Sequence, residues 1–397
     1  MKIRRLIKKF VRVWHQSGFL TAVGRSIHFA GNVEGRRNRR QDIQYVRAHK
    51  GEVLFINGCC VEHPTRYRVF HQMEQLKEAG ISCAKIYFED IDLRMEENYQ
   101  MFIFFRCECT DDVEAFIRKA KSHNKTVCFD VDDLVTDTKY TDQVPFVQEL
   151  GPDDRKLFDE SVMRTGKTLR MCDIATTTTE ALAEELGKEA PETYINRNTA
   201  SKEMVICAEN AYQTVKKDPE RVLLGYFSGS LTHNKDFELI RPALMRIMDE
   251  YPQAGLILVG ELDAADELKK YSDRIIKKKA TDWRNLPQLI ALADINLAPL
   301  ENTLFNRAKS EIKWIEAALV RVPTVASKVG AFERMIENNV TGVLCEDNED
   351  EWTESLRQLV EDRSLREKLG QQAYEFVMEN CTTVGTAAEY GKFVESI

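Results

Sequence analysis

Residues 305–327 read FNRAKSEIKWIEAALVRVPTVAS and contain a polar loop, an amphipathic helix and a short apolar strand. The spacing predicts a helix from about Lys309 to Leu319, with Lys309, Lys313 and Glu316 on one face and Ile315 on the buried side. The apolar VPTVAS that follows predicts a buried strand. A loop, a helix and a buried strand in this order form one unit of a parallel sheet covered by helices.

The beginning of this predicted helix has the chemistry of an anion site. A loop that leads into a helix offers free backbone N–H groups and the positive end of the helix dipole to a phosphate. Lys309 and Ser310 add an ammonium group and a hydroxyl there, with Asn306 just before them and Lys313 one turn later. Glu316 can accept hydrogen bonds from vicinal hydroxyls such as a ribose diol. From these residues alone, a nucleotide-diphosphate site and a solvated helix with ordinary charge both remain open.

The same alternation of strands and helices extends outward in two runs. The first run has the strand-like segments EVLFIN, SCAKIYF, MFIFF, TVCFD and DIATT, and the second has RVLLGYF, GLILVG, DINLAPL, VPTVAS and GVLCE. A polar stretch from Asn196 to about Glu220 separates them and reads as a loose linker. Two such runs predict an α/β protein with two Rossmann-like, doubly wound domains that face a cleft. We expect these domains at residues 51–200 and 201–380, after a basic segment at 1–50 and before a C-terminal helix at 381–397 that returns to the first domain.

Loops that follow strands are where ligands of such sheets bind. At the start of the second domain, GYFSGSLTHNKDF places Gly229 and Ser230 where backbone can approach a phosphate, with Lys235 to neutralise it and His233 to orient that lysine or contact the ligand. These residues are predicted phosphate ligands. The alternative is an ordinary helix N-terminus capped by Asn234.

Two loops of the first domain follow strands and are predicted to face the cleft. NGCCVEHPTRYRVFH places Arg66, Tyr67 and Arg68 where the first strand's loop enters its helix, and arginines there suit an anionic ligand. The alternative is surface arginines without a role.

The second of these loops lies in TVCFDVDDLVTD, where Asp130, Asp132 and Asp133 follow a strand. We expect them to line the cleft. A purely structural loop is an alternative. The stretch also resembles the aspartate motif of haloacid-dehalogenase phosphatases, although Leu134 replaces the usual Thr, and the Asp-x-Asp metal clasp of GT-A glycosyltransferases.

Several of these segments together resemble the retaining glycosyltransferases of GT-B family 4 (group 1). The signature region of that family has a glutamate, an alanine, a small-residue turn, a proline and an apolar strand, which here correspond to Glu316-Ala317-Ala318 and residues 322–327. The loop GYFSGSLTHNKDF resembles the family's first donor-domain loop, which implies donor contacts for Gly229, Ser230 and His233. The resemblance also implies that the loop with Arg66, Tyr67 and Arg68 faces the acceptor side and, in some members, touches the donor phosphate. On the same basis we expect Asp130 to be a catalytic group and Asp132 and Asp133 to be acceptor ligands. The resemblance covers residues 53–397 in architecture and 222–345 in specific motifs.

This resemblance implies a GT-B fold and a transferase that moves a sugar, with retention of configuration, from a nucleotide-diphosphate donor to a glycan or lipid-linked acceptor. It implies no metal and no cofactor, with Lys309, Lys235 and helix N–H groups stabilising the leaving diphosphate. One position departs from the pattern: Ala308 lies eight residues before Glu316, where the family commonly has another glutamate. Lys309 with Ser310, or Glu311, are the candidate substitutes. The departure also supports a second hypothesis, a catalytically silent GT-B scaffold or partner subunit.

Charge is distributed unevenly along the chain. Residues 1–50 hold thirteen Lys and Arg against two acidic residues, a net charge of +11, whereas the whole chain carries −8 and the remainder therefore −19. Within the first 30 residues, Ile3, Leu6, Phe10 and Trp14 recur at helical spacing among the basic residues, which favours contact with an anionic membrane surface. The alternative is a helix packed on the protein's own acidic body.

These features also predict where the protein acts. Basic charge confined to one end is not typical of a nucleic-acid enzyme, so we expect no nucleic-acid partner. The charges interrupt every possible signal-peptide core, and no apolar run is long enough to span a bilayer. We therefore expect a cytoplasmic protein, peripheral on the inner face of the cell membrane, in polysaccharide or cell-envelope biosynthesis.

Overall fold

The computed structural model describes residues 33–142, 145–148, 150–228, 234–260 and 266–397. Within these residues the chain forms two α/β domains, each built on a parallel sheet of six strands. The predicted fold, two Rossmann-like domains, is confirmed. The amphipathic segment predicted for residues 1–30 lies outside the described residues.

The first domain has the strand order β2-β1-β3-β4-β5-β6. Four of its strands are largely buried because helices cover both faces of the sheet, and in β3 every residue is buried. The strands are β1 (Val53–Asn57), β2 (Cys83–Tyr87), β3 (Met101–Phe105), β4 (Thr126–Asp130), β5 (Ile174–Thr177) and β6 (Glu192–Ile195). The helices are α1 (Val33–Ala48), α2 (Glu62–Thr65), α3 (Gln72–Glu78), α4 (Asp111–Ser122), α5 (Thr138–Thr141), α6 (Pro145–Gln148), α7 (Pro152–Met171) and α8 (Glu180–Leu186), with a π-helical turn, Arg66–His71, joining α2 to α3.

The second domain has the strand order β12-β11-β10-β7-β8-β9. Helix α9 (Lys202–Thr214) precedes it. Its strands are β7 (Val222–Phe227), β8 (Ala254–Val259), β9 (Ile275–Lys278), β10 (Ile295–Ala298), β11 (Thr324–Ser327) and β12 (Val343–Cys345). Its helices are α10 (Asn234–Glu250), α11 (Leu286–Ile290), α12 (Leu304–Arg307), α13 (Ile312–Leu319), α14 (Ala331–Met335), α15 (Glu349–Glu361) and α16 (Arg363–Asn380).

The chain crosses between the domains twice. The backbone near Ala200 pairs with the segment after α16, where Ala200 N–H donates to the Cys381 carbonyl at 2.8 Å and Thr383 N–H donates to the Ala200 carbonyl at 2.9 Å. The last helix, α17 (Ala387–Glu395), then packs on the first domain, with Tyr390 and Phe393 in the core around β1 and β3. The two crossings therefore lie side by side.

Two local predictions were wrong. The stretch predicted as a loose linker contains α9, whose Met204, Ala208 and Ala211 are buried at helical spacing against the second domain. The helix predicted from Lys309 begins at Ile312, so Lys309 and Ser310 lie in the loop before it. The first error arises because the polar composition of this segment hid the few apolar residues that pack against the second domain. The second arises because the exact end of a helix depends on its tertiary surroundings as well as on local residue preference.

Candidate functional site

The carboxyl ends of the strands of both sheets face a common cleft, as doubly wound sheets place their ligand sites. Side chains of the two domains contact each other there. The Tyr67 hydroxyl donates to Glu316 Oε1 at 3.1 Å, Lys309 Nζ lies 3.1 Å from Asp133 Oδ1, and Asn198 Nδ2 donates to Ser310 Oγ at 3.0 Å. Residues from both predicted half-sites therefore meet.

Glu316 lies in the middle of α13, partly buried between the domains. Burial raises the pKa of its carboxyl group, and the opposing effects of Arg66, Tyr67 and Lys313 do not cancel that shift. The carboxylate is thus a hydrogen-bond acceptor in a site that excludes much of the solvent. It is the position that the sequence predicted for binding vicinal hydroxyls.

Lys313 is one turn before Glu316 on the same helix. Its ammonium nitrogen is shielded from solvent, lies 5.0 Å from the centre of the Tyr226 ring, and has no hydrogen-bond partner among the residues described. Burial lowers the pKa of Lys313 to about 8, although Asp236 and Glu316 act to raise it. An unsatisfied buried ammonium group is costly, and an anionic ligand would supply the missing partner.

Lys309 and Ser310 occupy the loop between α12 and α13 and are held by the first domain. Both Asp133 oxygens lie within 3.2 Å of Lys309 Nζ. Burial acts to raise the pKa of Asp133, but the cations Lys309 and Arg106 outweigh it and hold that pKa below its ordinary value. Asp133 is thus the counter-ion of the lysine predicted to bind the donor phosphate.

The structure describes contacts for only some of the other predicted donor residues. Asn306 donates from Nδ2 to Asp236 Oδ1 at 3.0 Å, and Asp236 also accepts from the Glu301 backbone N–H at 3.0 Å. Lys235 is exposed in the first turn of α10. Gly229, Ser230 and His233 lie outside the described residues, so their donor roles stay predictions.

Asp130 and Arg68 are inside the first domain, away from the solvent of the cleft. Arg68 donates to both Asp130 oxygens, at 2.9 and 2.6 Å, and neither side chain is exposed. Gln72 and Thr176 also donate to Asp130, at 3.0 and 2.6 Å. Because protein donors already occupy its oxygens, this placement does not favour the predicted catalytic role of Asp130, nor an acceptor role for Arg68. The pair attaches the π-helical turn to the sheet.

Arg106 is a cleft residue that the sequence analysis did not select. It follows β3 directly, has a positive φ of 46°, and donates from Nε to Asp132 Oδ1 at 2.7 Å. A non-glycine residue in that conformation is strained and is often found at functional sites. Its position after the strand MFIFF was the available signal, since the rule that ligands bind at carboxyl ends of strands applies to it as it does to Asp130.

Ala308, the departure from the family pattern, is fully buried. It packs with Leu134, Tyr140 and Leu182 of the first domain. A glutamate side chain would not fit there without separating these contacts. Glu311 is also fully buried, and burial raises its pKa to about 7; its ion-pair partner is Arg197 at 3.9 Å.

Within the described part of the chain, no group of three or more His, Cys, Asp or Glu side chains is arranged to hold a metal ion. The same residues contain no helix that is both long enough and apolar enough to cross a bilayer.

Comparisons with known proteins agree with this architecture. The model of the family described as "Glycosyl transferases group 1" matches residues 209–376, which include β7, α13 and Glu316. No curated relative matches the chain by sequence. Among solved structures, HepE of Anabaena in complex with UDP is 13% identical, with a TM-score of 0.59, and the match covers 87% of this chain and 100% of that one.

Two further structures have the same fold. A sucrose-phosphate synthase from Thermosynechococcus elongatus is 15% identical with a TM-score of 0.57, over 87% of this chain and 98% of that one. A glycosyltransferase from Rickettsia africae is 11% identical with a TM-score of 0.58, over 88% of this chain and 99% of that one. The fold is therefore that of GT-B glycosyltransferases, and the second domain carries the group 1 match.

Proposed function

We propose that the protein is a glycosyltransferase that moves a sugar from a nucleotide-diphosphate donor to a glycan or lipid-linked acceptor, with retention of configuration and without a metal or other cofactor. The observation that carries the proposal is the pair on α13: a shielded Lys313 ammonium group, without a hydrogen-bond partner in the described part of the chain, one turn from the Glu316 carboxylate. A cation for phosphate beside an acceptor for hydroxyls fits the diphosphate and ribose of one nucleotide. Support comes from the group 1 family match, which covers both residues.

The basic residues of the second domain are assigned to the leaving group. Lys309 and Lys313, with Lys235 at the beginning of α10, would stabilise negative charge that grows on the diphosphate as the bond to the sugar breaks. The acceptor hydroxyl would attack the face from which the diphosphate leaves, with a phosphate oxygen taking its proton. Retention of configuration follows from that geometry.

Donor binding and the acceptor side would be linked through Asp133. A diphosphate that binds Lys309 competes with Asp133, whose carboxylate lies 3.1 Å from that ammonium group in the ligand-free protein. Once released, Asp133 and its neighbour Asp132 would be available to the acceptor hydroxyl. Asp132 is held by Arg106 in the same loop region.

The acceptor is assigned to a membrane-associated class because of the basic N-terminal segment. Residues 1–50 carry +11 and the remainder −19, so attraction to an anionic surface is confined to one end of the chain. A peripheral position on the inner face of the cell membrane would bring the cleft close to lipid-linked precursors of surface glycans.

A donor screen tests the proposal. Purified protein is incubated with UDP-, GDP-, ADP-, CDP- and dTDP-sugars, starting with UDP-glucose, and release of the nucleoside diphosphate is measured with and without EDTA. We expect one nucleotide class to be hydrolysed slowly without an acceptor, at a rate that EDTA leaves unchanged. Activity lost in EDTA and restored by Mn²⁺ or Mg²⁺ would contradict the metal-independent mechanism.

A silent GT-B scaffold is the second candidate, favoured by the apolar packing of Ala308 where the family commonly has a glutamate. The same screen separates the two, since a scaffold that has lost its donor site would release no nucleoside diphosphate. Thermal-shift measurements with each nucleoside diphosphate then decide whether the protein binds a nucleotide without turning it over.

A further inference from the structure

Arg66 has an environment that its predicted acceptor role does not explain. It comes from the π-helical turn of the first domain, yet its guanidinium group lies 4.4 Å from the centre of the Trp283 ring in the second domain and 4.6 Å from that of Tyr67. The residue is only 4% exposed. Two aromatic rings from different domains therefore hold the guanidinium group inside the cleft.

Two of the three guanidinium nitrogens have no hydrogen-bond partner among the residues that the structure describes. Nη2 donates to the Tyr67 hydroxyl at 3.0 Å, and that hydroxyl donates in turn to Glu316. Nε and Nη1 are shielded from solvent, and no described residue accepts a hydrogen bond from either. A buried, permanently charged donor without an acceptor is destabilising and is rarely left so in a native protein. The arrangement is explained if a ligand supplies the acceptor.

The neighbours of Arg66 indicate which ligand that is. The Tyr67–Glu316 hydrogen bond connects it to the carboxylate assigned to the donor's hydroxyls, and Lys313, the other shielded cation without a partner, lies on the same helix as Glu316. A small pocket between Trp283 and Glu316, with Leu286 and Ile290 in its wall, opens beside them. All of these residues except Tyr67 belong to the second domain, which the resemblance makes the donor domain.

We propose that Arg66 is a donor-binding residue that the first domain contributes across the cleft, donating from Nε and Nη1 to an oxygen of the donor's nucleotide. The inference rests on the proposed function and assigns Arg66 to the donor, where the resemblance left both the acceptor side and the donor phosphate open. The oxygen belongs either to the diphosphate or to a base carbonyl, because a guanidinium group donates equally well to both.

The test is a binding titration without any acceptor. Arg66→Gln keeps a planar polar side chain but removes the charge and most of the donors, and Arg66→Lys keeps the charge but loses the planar group. We expect Arg66→Gln to weaken UDP, or whichever of GDP, ADP, CDP and dTDP the wild type binds best, by about tenfold to a hundredfold. A parallel titration with uridine, or the matching nucleoside, distinguishes a phosphate oxygen from a base carbonyl. If Arg66→Gln weakens binding of the diphosphate alone, Arg66 contacts phosphate; if it weakens binding of both ligands equally, Arg66 contacts the base.

Arg321 provides a matched control. Its guanidinium group also lies between two rings, 3.8 Å from Tyr212 and 3.9 Å from Tyr374, but both of its terminal nitrogens are bonded to Glu209 at 3.1 Å. Arg321→Gln should leave nucleotide affinity unchanged. Melting temperatures of all variants identify any general loss of folding.

Three results would overturn the inference. Arg66→Gln with wild-type nucleotide affinity would return Arg66 to the acceptor side, as would a variant that changes only the acceptor KM. An equal loss of affinity in Arg321→Gln would show a general structural effect. A wild-type protein that binds no nucleoside diphosphate would instead remove the proposed function, and this inference with it.

Discussion

Replacing Glu316 by glutamine removes one negative charge from the proposed donor site with almost no change in volume. Its Oε1 accepts one hydrogen bond, from the Tyr67 hydroxyl at 3.1 Å, and an amide oxygen can accept the same bond. The carboxylate is largely withdrawn from water, which raises its pKa, so a neutral amide avoids the cost of burying a charge. We therefore expect the free energy of unfolding to stay the same or rise.

Donor binding should respond in the opposite direction. A hydrogen bond from a donor hydroxyl to a charged carboxylate contributes about 1.5–3 kcal/mol, which corresponds to roughly a 10- to 150-fold increase in donor KM or nucleotide Kd. Glu316→Ala should show at least this loss, because it removes the acceptor entirely and also breaks the bond to Tyr67.

The assays are steady-state kinetics over donor concentration, calorimetric titration with the nucleoside diphosphate, and thermal unfolding. Glu209→Gln is the control, since the Glu209 carboxylate on α9 also accepts hydrogen bonds across a helix contact, from Arg321, and has no hydrogen bond to Glu316 among the described residues. Wild-type KM and Kd in both Glu316 variants would refute the assignment of this residue to the donor. A lowered melting temperature in Glu316→Gln would refute the argument that the buried charge is costly.

Two further predictions concern charge. Burial lowers the pKa of Lys313 to about 8. The protein should therefore bind a nucleoside diphosphate tightly at pH values below 8, and its affinity should fall as the pH rises through 8. Lys313→Met should bind weakly at every pH, and titrations from pH 6.5 to 9.5 would show both results. Because the unfolded lysine keeps its proton up to about pH 10.4, the ligand-free protein should also gain stability from pH 8 to 10, and a flat denaturation profile would contradict the shift. Deleting residues 1–30 should release the protein from anionic liposomes while donor hydrolysis persists, because each basic residue near such a surface contributes about 1 kcal/mol. Full-length protein that stays in the supernatant at low salt would contradict membrane contact.

Much of the architecture could be predicted from sequence because it depends on local patterns. Short apolar runs such as MFIFF and TVCFD become β3 and β4 of a parallel sheet covered on both faces, and those runs recur in two sets that correspond to the two sheets. The same reasoning selected Glu316 and Lys313 as candidate donor-site residues, because a phosphate can bind where a loop after a strand leads into a helix. Burial on both faces and helical periodicity are properties of neighbouring residues, so the sequence contains them directly.

The partners of these residues depend on positions far apart in the chain. Tyr67 and Glu316 are separated by 249 residues, and Asp133 and Lys309 by 176, so only the closure of one domain on the other brings them together. From the sequence, Asp130, Asp132 and Asp133 were all expected to line the cleft. In the structure Asp130 is buried in an ion pair with Arg68, whereas Asp133 pairs with Lys309 across the cleft. The sequence likewise could not show that Arg66 stacks on Trp283 or that Ala308 is enclosed by Leu134 and Tyr140. Such contacts are decided by how two sheets pack and face each other, and no local pattern encodes that geometry.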